Sequence, residues 1–239
     1  MTMRIALVGT GRMGSMIREC AADRGIEVAA EFDVANIGEL AEAPKLDAVI
    51  DFSAPASLSA VAAYVERTGT PLVSGTTGYT AEEQAQLAGL GRFAPVVASA
   101  NYSIGVAVMK HLAAETAKLL SDFDIEIVEA HHRMKKDAPS GTAKLLLSAI
   151  DPEGKRRAVF GREGLAPRME GEIGVHAVRG GTVAGVHTVS YFGDEEEVSI
   201  THRAESRRIF ALGALKAAEK LRGAGIGLHT LDDLLFSGR

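Results

Sequence analysis

Cysteine is nearly absent: Cys20 is the only one in 239 residues. A lone thiol excludes an internal disulfide and a cysteine-based metal site. Within a helical pattern it reads as a small core residue. No run of about 20 apolar residues occurs, so no membrane-spanning helix is expected. No basic-then-apolar leader opens the chain, and the expected setting is the cytoplasm, with no membrane partner. Positive charge is also short. The 26 Lys and Arg residues are outnumbered by 31 Asp and Glu, a net charge of −5. That argues against a broad basic surface and hence against a nucleic-acid partner. Any anion must be recognised by a local cluster. The first hundred residues also lack any linker-like or low-complexity stretch, and no longer repeat is found. What remains is ordinary for a soluble globular protein, 46% hydrophobic and 24% charged. The length suffices for one large domain or two modest ones.

The first hundred residues repeat strand and helix about five times. Arg4–Val8 is a short apolar run, as a parallel strand buried on both faces reads. Gly9-Thr10-Gly11-Arg12-Met13-Gly14 follows, then a helix over Ser15–Arg24. A second strand, Ile26–Phe32, ends on Asp33. Strand, glycine turn, helix, strand and terminal acid within about 30 residues form the context of a dinucleotide-binding fingerprint. Gly9 permits the tight turn, Gly11 lets backbone approach a pyrophosphate, and Gly14 allows close helix–strand packing. The pyrophosphate sits on the helix N-terminus, where unpaired N–H groups attract anions. Asp33 suits the adenosine ribose hydroxyls, and its neighbour is Val34 rather than arginine. NADH is therefore the expected preference, with NADPH left open through Arg12. Further strands read over Lys45–Phe52, Pro71–Ser74 and Pro95–Ala98. Ser53 is the expected cap of a helix starting at Pro55. Thr80 and Glu83 form a capping box. Gly75-Thr76-Thr77-Gly78 and Ser99-Ala100-Asn101-Tyr102 follow strand ends, where doubly wound sheets bind ligands.

The pattern then changes. Ile104–Leu120 reads as a long helix carrying His111, expected to be partly buried and structural. Asp124–Ala130 alternates like a strand with one wet face. A helix follows over Thr142–Ile150, then a mobile surface loop over Asp151–Glu172. Three alternating strands come next, Ile173–Val178, Val183–Phe192 and Glu196–His202. Gly180-Gly181 and Gly193-Asp194 are the turn signals between them. Helices over Ile209–Leu221 and Leu231–Phe236 close the chain. The expected fold class is α/β: an N-terminal Rossmann-type doubly wound parallel sheet, and a second α+β domain on a mixed, largely antiparallel sheet. The first spans residues 1–102 and is completed by 209–239. The second spans 103–208 and is assigned substrate binding and oligomerisation.

Glu129–Thr142, EAHHRMKKDAPSGT, concentrates the chemistry. His131 and His132 can exchange protons near neutrality. Arg133, Lys135 and Lys136 supply local positive charge. Ser140, Gly141 and Thr142 stand at a helix start and can hold a carboxylate. No Glu or Cys stands at metal-ligand spacing from the histidine pair, so no metal is expected. His176, His187, His202 and His229 read as structural.

This stretch resembles the signature of the 4-hydroxy-tetrahydrodipicolinate reductase (dihydrodipicolinate reductase) family, E-x-H-H-x-x-K-x-D-A-P-S-G-T, at every fixed position. GTGRMG at Gly9–Gly14, GTTG at Gly75–Gly78 and ITHRAESR at Ile200–Arg207 match as well, so the likeness spans nearly the whole chain. One departure is Ser99-Ala100-Asn101-Tyr102-Ser103, where the family commonly reads A-P-N-F-S. The resemblance implies NAD(P)H-dependent reduction of a cyclic imine dicarboxylate in diaminopimelate and lysine synthesis. It implies His131 as proton donor and acceptor, and Lys135 as second proton donor. His132, Gly141 and Thr142 would contact substrate. Gly9–Gly14, Asp33, Gly75–Thr77 and Ser99–Tyr102 would contact cofactor. A homotetramer formed through the second sheet is implied too. The competing readings are a related dehydrogenase of another dicarboxylate, such as aspartate, and a nicotinamide-sensing module with an idle loop.

Overall fold

The computed structural model describes residues 2–236, which divide into two compact units. One comprises Met1–Ser103 with Arg208–Arg239, the other Ile104–Arg207.

In the first unit, β1 (Arg4–Val8), β2 (Glu27–Phe32), β3 (Ala48–Asp51), β4 (Leu72–Ser74) and β5 (Pro95–Ala98) alternate with α1 (Arg12–Asp23), α2 (Leu58–Thr68) and α3 (Ala81–Gly89). All strands run parallel, and a sixth, Gly227–His229, joins the β5 edge late in the chain. That edge strand was not anticipated; three residues ending in Gly-Leu-His carry no periodicity. Successive side chains leave opposite faces of a strand. Ala6, Val8, Val49 and Val96 therefore pack with Leu58, Val61 and Tyr64 of α2 and Leu87 of α3. The alternate residues Ile5, Leu7, Ile50 and Val97 are equally shielded from solvent. A strand sealed on both faces must be apolar throughout, which is why β1 and β3 read as runs.

Two local readings change here. α1 begins at Arg12, not Ser15, because Gly11 is its N-cap. Ser53 does not cap the following helix: its hydroxyl donates to the Asp51 carboxylate, and a 3₁₀ turn over Pro55–Ser57 intervenes. Cys20 is fully buried, as expected. The Thr80–Glu83 capping box forms as read from the sequence, with Glu83 N–H donating to Thr80 Oγ1 at 3.2 Å and Thr80 N–H to Glu83 Oε2 at 2.8 Å.

The second unit holds α4 (Ile104–Leu119), β6 (Asp124–His131), α5 (Gly141–Ile150), β7 (Arg157–Phe160), β8 (Glu172–Arg179), β9 (Gly185–Gly193) and β10 (Glu196–Ala204). The sheet order is β10-β9-β6-β8-β7. β9 pairs antiparallel with β6 and β10, while β8 pairs parallel with β6 and β7. Ile125, Ile127, Ile173, Val189 and Tyr191 form its core with Met109 and Ala113 of α4 and Leu146 of α5. The segment expected as a mobile loop contains β7. Arg162 and Arg168 tie the rest of it to Glu172 and Glu126. The Gly180-Gly181 turn makes no hairpin, because β8 and β9 flank β6. It steps over the end of β6 instead, with Gly180 N–H donating to His131 O at 2.9 Å. His111 is exposed on α4 rather than partly buried.

After Arg208, α6 (Arg208–Leu221), β11 (Gly227–His229) and α7 (Leu231–Phe236) return to the first unit. No helix among the described residues is long and apolar enough to cross a membrane.

Candidate active site

The glycine turn of the first unit is built by contact rather than by flexibility alone. Gly9 has φ +96°, and a Cβ there would stand 2.5 Å from Phe52 O. A Cβ on Gly14 would stand 1.9 Å from Gly9 O, so helix and turn touch backbone to backbone. Around Gly11 nothing of the protein lies within 4 Å of the corresponding point. That opening lies at the start of α1, whose first-turn N–H groups receive no side-chain cap. Open space beside uncapped helix donors is what a pyrophosphate requires, so these residues fit a dinucleotide. Thr10 and Arg12 sit in the same turn, and Met13 is half-buried in the first turn of α1.

Asp33 follows β2. Its Oδ2 accepts from Thr10 Oγ1 at 3.1 Å and its Oδ1 from Ala35 N–H at 2.9 Å, which fixes the carboxylate beside the turn. Val34 is 91% exposed. Thr76, Thr77, Ser99 and Ala100 line a groove of about 290 Å³. Thr76 is set by a buried acid that sequence reasoning missed: its hydroxyl donates to Asp51 Oδ2 at 3.0 Å. Burial raises the Asp51 pKa against the pull of hydrogen bonds from Ser53, Thr76 and Tyr79. Tyr102 does not line the groove with its ring. It is 1% exposed, with its hydroxyl 2.7 Å from Ser74 O, so only its backbone is placed for contact. Asn101 Oδ1 accepts from Ser103 N–H at 2.9 Å and shapes the chain between them.

In the second unit, His131 ends β6 and pairs in register with Arg179 of β8. Glu129, two residues earlier, points to the same face, because strand side chains alternate. It is fully buried and accepts four hydrogen bonds. These come from His131 Nδ1 at 2.6 Å, from Arg179 Nη1 and Nη2 at 2.8 and 2.7 Å, and from Ser140 N–H at 3.0 Å. Burial works against the carboxylate, but these donors outweigh it and hold its pKa below the usual range.

Ser140 also has partners within the protein. Its N–H serves Glu129, and its Oγ caps α5 at Ala143 N–H and lies 3.1 Å from His187 Nε2. It is 2% exposed. Gly141 and Thr142 stand beyond it in the first turn of α5. Lys135 reaches Asp137 Oδ1 at 2.8 Å with its side chain only 20% exposed. The ammonium holds the Asp137 pKa down. His132 is half-buried, while Arg133 and Lys136 are exposed.

His187, read as a structural residue, belongs to this group. Its ring meets His131 edge-on at 5.1 Å between centroids. Burial, then the charge of His131, push its pKa down to about 4. The unfolded chain thus binds a proton at His187 that the folded protein refuses. This contribution to stability is complete above pH 6.5 and is lost as pH falls towards 4, a swing of roughly 3 kcal/mol. His202, also depressed by burial, acts with the same sign. Chemical denaturation between pH 7 and 4.5 should show this fall, and His187→Gln should remove most of it. An unchanged slope in the variant would refute the assignment.

Known proteins share this organisation. Residues 3–102 match the family model described as dihydrodipicolinate reductase, N-terminus, and residues 105–235 that described as dihydrodipicolinate reductase, C-terminus. The 4-hydroxy-tetrahydrodipicolinate reductase of Methanococcoides burtonii is 44% identical over 255 residues, covering 95% of this chain and 97% of the relative. That of Clostridium tetani is 40% identical over 250 residues, covering 98% of each. A solved dipicolinate-bound dihydrodipicolinate reductase from Paenisporosarcina sp. TG-14 has the same fold, with a TM-score of 0.78 at 23% identity, covering 96% of this chain and 98% of that one. Two matched halves and relatives similar over nearly the full length lead to one conclusion: this chain is an NAD(P)H-using oxidoreductase and belongs to the dihydrodipicolinate reductase family.

Proposed function

We propose that this chain converts 4-hydroxy-tetrahydrodipicolinate, NAD(P)H and a proton into tetrahydrodipicolinate, NAD(P)⁺ and water, in diaminopimelate and lysine synthesis. The observation that carries the reading is the loop after β6. It joins an anchored imidazole, an ammonium four residues later and a helix N-terminus, in a chain of this family.

When bound, the nicotinamide would supply a hydride to the conjugated ring left by loss of the 4-hydroxyl as water, and the electron pair would move towards the ring nitrogen. His131 gives that enamine-like species its proton, and Lys135 serves as second donor and offsets the developing negative charge. His132, Gly141 and Thr142 hold the substrate carboxylates, with Arg133 and Lys136 adding positive potential. Gly9–Gly14, Asp33, Gly75–Thr77 and the Ser99–Tyr102 backbone hold the dinucleotide. Self-association as a homotetramer through the second sheet is part of this reading. That sheet's face away from α4 and α5 carries Val128, Val178 and Phe192, each more than 40% exposed.

The test is NADH oxidation followed in the presence of the preceding synthase's product. Turnover is expected, with a lower KM for NADH than for NADPH, because Asp33 repels a 2′-phosphate and accepts from ribose hydroxyls. Equal or reversed KM values would make Arg12 the phosphate contact. No turnover with either cofactor would sink the proposal.

A further inference from the structure

We propose that Glu129 is the positioning residue for His131: it holds the ring as the Nδ1–H tautomer and leaves Nε2 as the atom that exchanges the proton. This rests on the reductase reading above and assigns a role to a residue outside the loop's proton donors.

The argument is one of hydrogen-bond supply. Glu129 has no exposure to solvent, yet both guanidinium arms of Arg179, at 2.7 and 2.8 Å, and the Ser140 N–H, at 3.0 Å, converge on it. A carboxylate receiving those three donors is ionised, and an ionised carboxylate only accepts. The 2.6 Å contact to His131 Nδ1 therefore requires a proton on Nδ1. The other ring nitrogen is left for chemistry. When the imidazolium gives up its proton, the Nε2–H bond breaks, its electron pair stays on Nε2, and the ring becomes neutral without moving.

The surroundings keep the ring in that pose. A Cβ on Gly185 of β9 would stand 3.2 Å from His131 Nε2, so the glycine leaves the ring its space. The charged and titratable groups around His131 come from every packed element. They are Glu129 on its own strand, Arg179 on β8, His187 on β9 and Lys135 with Asp137 in the loop, with His202 of β10 opposite His187. At neutral pH His187 is uncharged, so it adds no repulsion to an imidazolium at His131. Arg179 also donates to Asp137 O at 2.7 Å, which ties the loop to the same carboxylate.

Two measurements decide the matter. In protein labelled with ¹⁵N-histidine, long-range ¹H–¹⁵N spectra of the neutral ring at alkaline pH should show Nδ1 protonated and Nε2 bare, the signals being assigned by their loss in His131→Gln. The opposite tautomer would overturn the proposal, and this test needs only the wild-type fold. In Glu129→Gln the amide oxygen can still accept from Nδ1–H, so the ring stays while the charge is lost. That variant should lose about 10- to 100-fold in kcat, as removal of an orienting partner does. KM for NADH should be unchanged. A folded variant that keeps wild-type kcat would also refute the role. Failure of the wild-type enzyme to turn over would instead refute the reductase reading, so the two failures are distinguishable.

Discussion

Substituting His131 by Gln is expected to lower kcat by about 10²–10⁴ while NADH binds with unchanged affinity. Glutamine keeps a hydrogen-bonding head of similar reach, yet it has no proton to transfer near neutrality. Lys135→Ala should act in the same range, because it removes both a proton source and a positive charge held close to the loop by Asp137 at 2.8 Å. Neither residue belongs to the unit that carries the glycine turn, so fluorescence titration with NADH should give wild-type dissociation constants. Single-turnover absorbance at the nicotinamide band separates the chemical step from product release. Full turnover in both variants would remove the proton-donor assignment.

The second large effect is expected at the glycine turn, where two substitutions of one methyl group should part company. In Gly14→Ala the new carbon would stand 1.9 Å from Gly9 O, a backbone atom that cannot swing aside. Helix α1 must then lift from the turn. Overpacking of this kind costs typically about 1–3 kcal/mol, and the cradle at the helix start is distorted as well. Both the melting temperature and the affinity for NADH should fall. In Gly11→Ala the added carbon meets nothing of the protein. Stability should change by less than about 1 kcal/mol, the scale of an N-cap exchange. The methyl would occupy the path by which phosphate oxygens approach the backbone, so KM for NADH should rise more than tenfold. Differential scanning calorimetry and NADH titration on the pair check both halves. Equal loss of stability in the two variants would contradict this division of labour between the glycines.

Legibility from sequence followed the range over which each signal acts. The glycine turn, the capping box at Thr80 and the apolar runs of the first sheet are local, and each formed within three residues of its expected place. Ser53 misled because it has two local choices, a helix cap or a buried acid two residues back. Which one wins depends on Asp51 being sealed under Thr76 and Tyr79. β7 and β11 are short, with no pattern of their own, and exist because a neighbouring edge offers hydrogen bonds. The candidate site divides in the same way. His131, His132 and Lys135 stand in one stretch, so the sequence alone groups them. Arg179 lies 50 residues from Glu129, and His187 lies 47 from Ser140, so neither declared itself. Period-two counting was the one available clue. Glu129 occupies a core-facing position of β6, and a carboxylate there demands a cation from a neighbouring strand.

The late strand β11 has a consequence for how the chain is made. The first unit is discontinuous: 104 residues of a different unit separate Ser103 from Arg208. Helix α6, with Ala211, Ala214, Leu215 and Leu221 fully buried, supplies a wall of that unit, and β11 supplies its outer rim. A nascent chain released only as far as Arg207 thus owns every residue of the glycine turn and of the loop after β6. It still exposes the apolar underside of its first sheet and the bare edge of β5. Completion of the dinucleotide unit is reserved for the segment from Arg208 on, so the chain secures its nucleotide fold only after the whole second unit has been made.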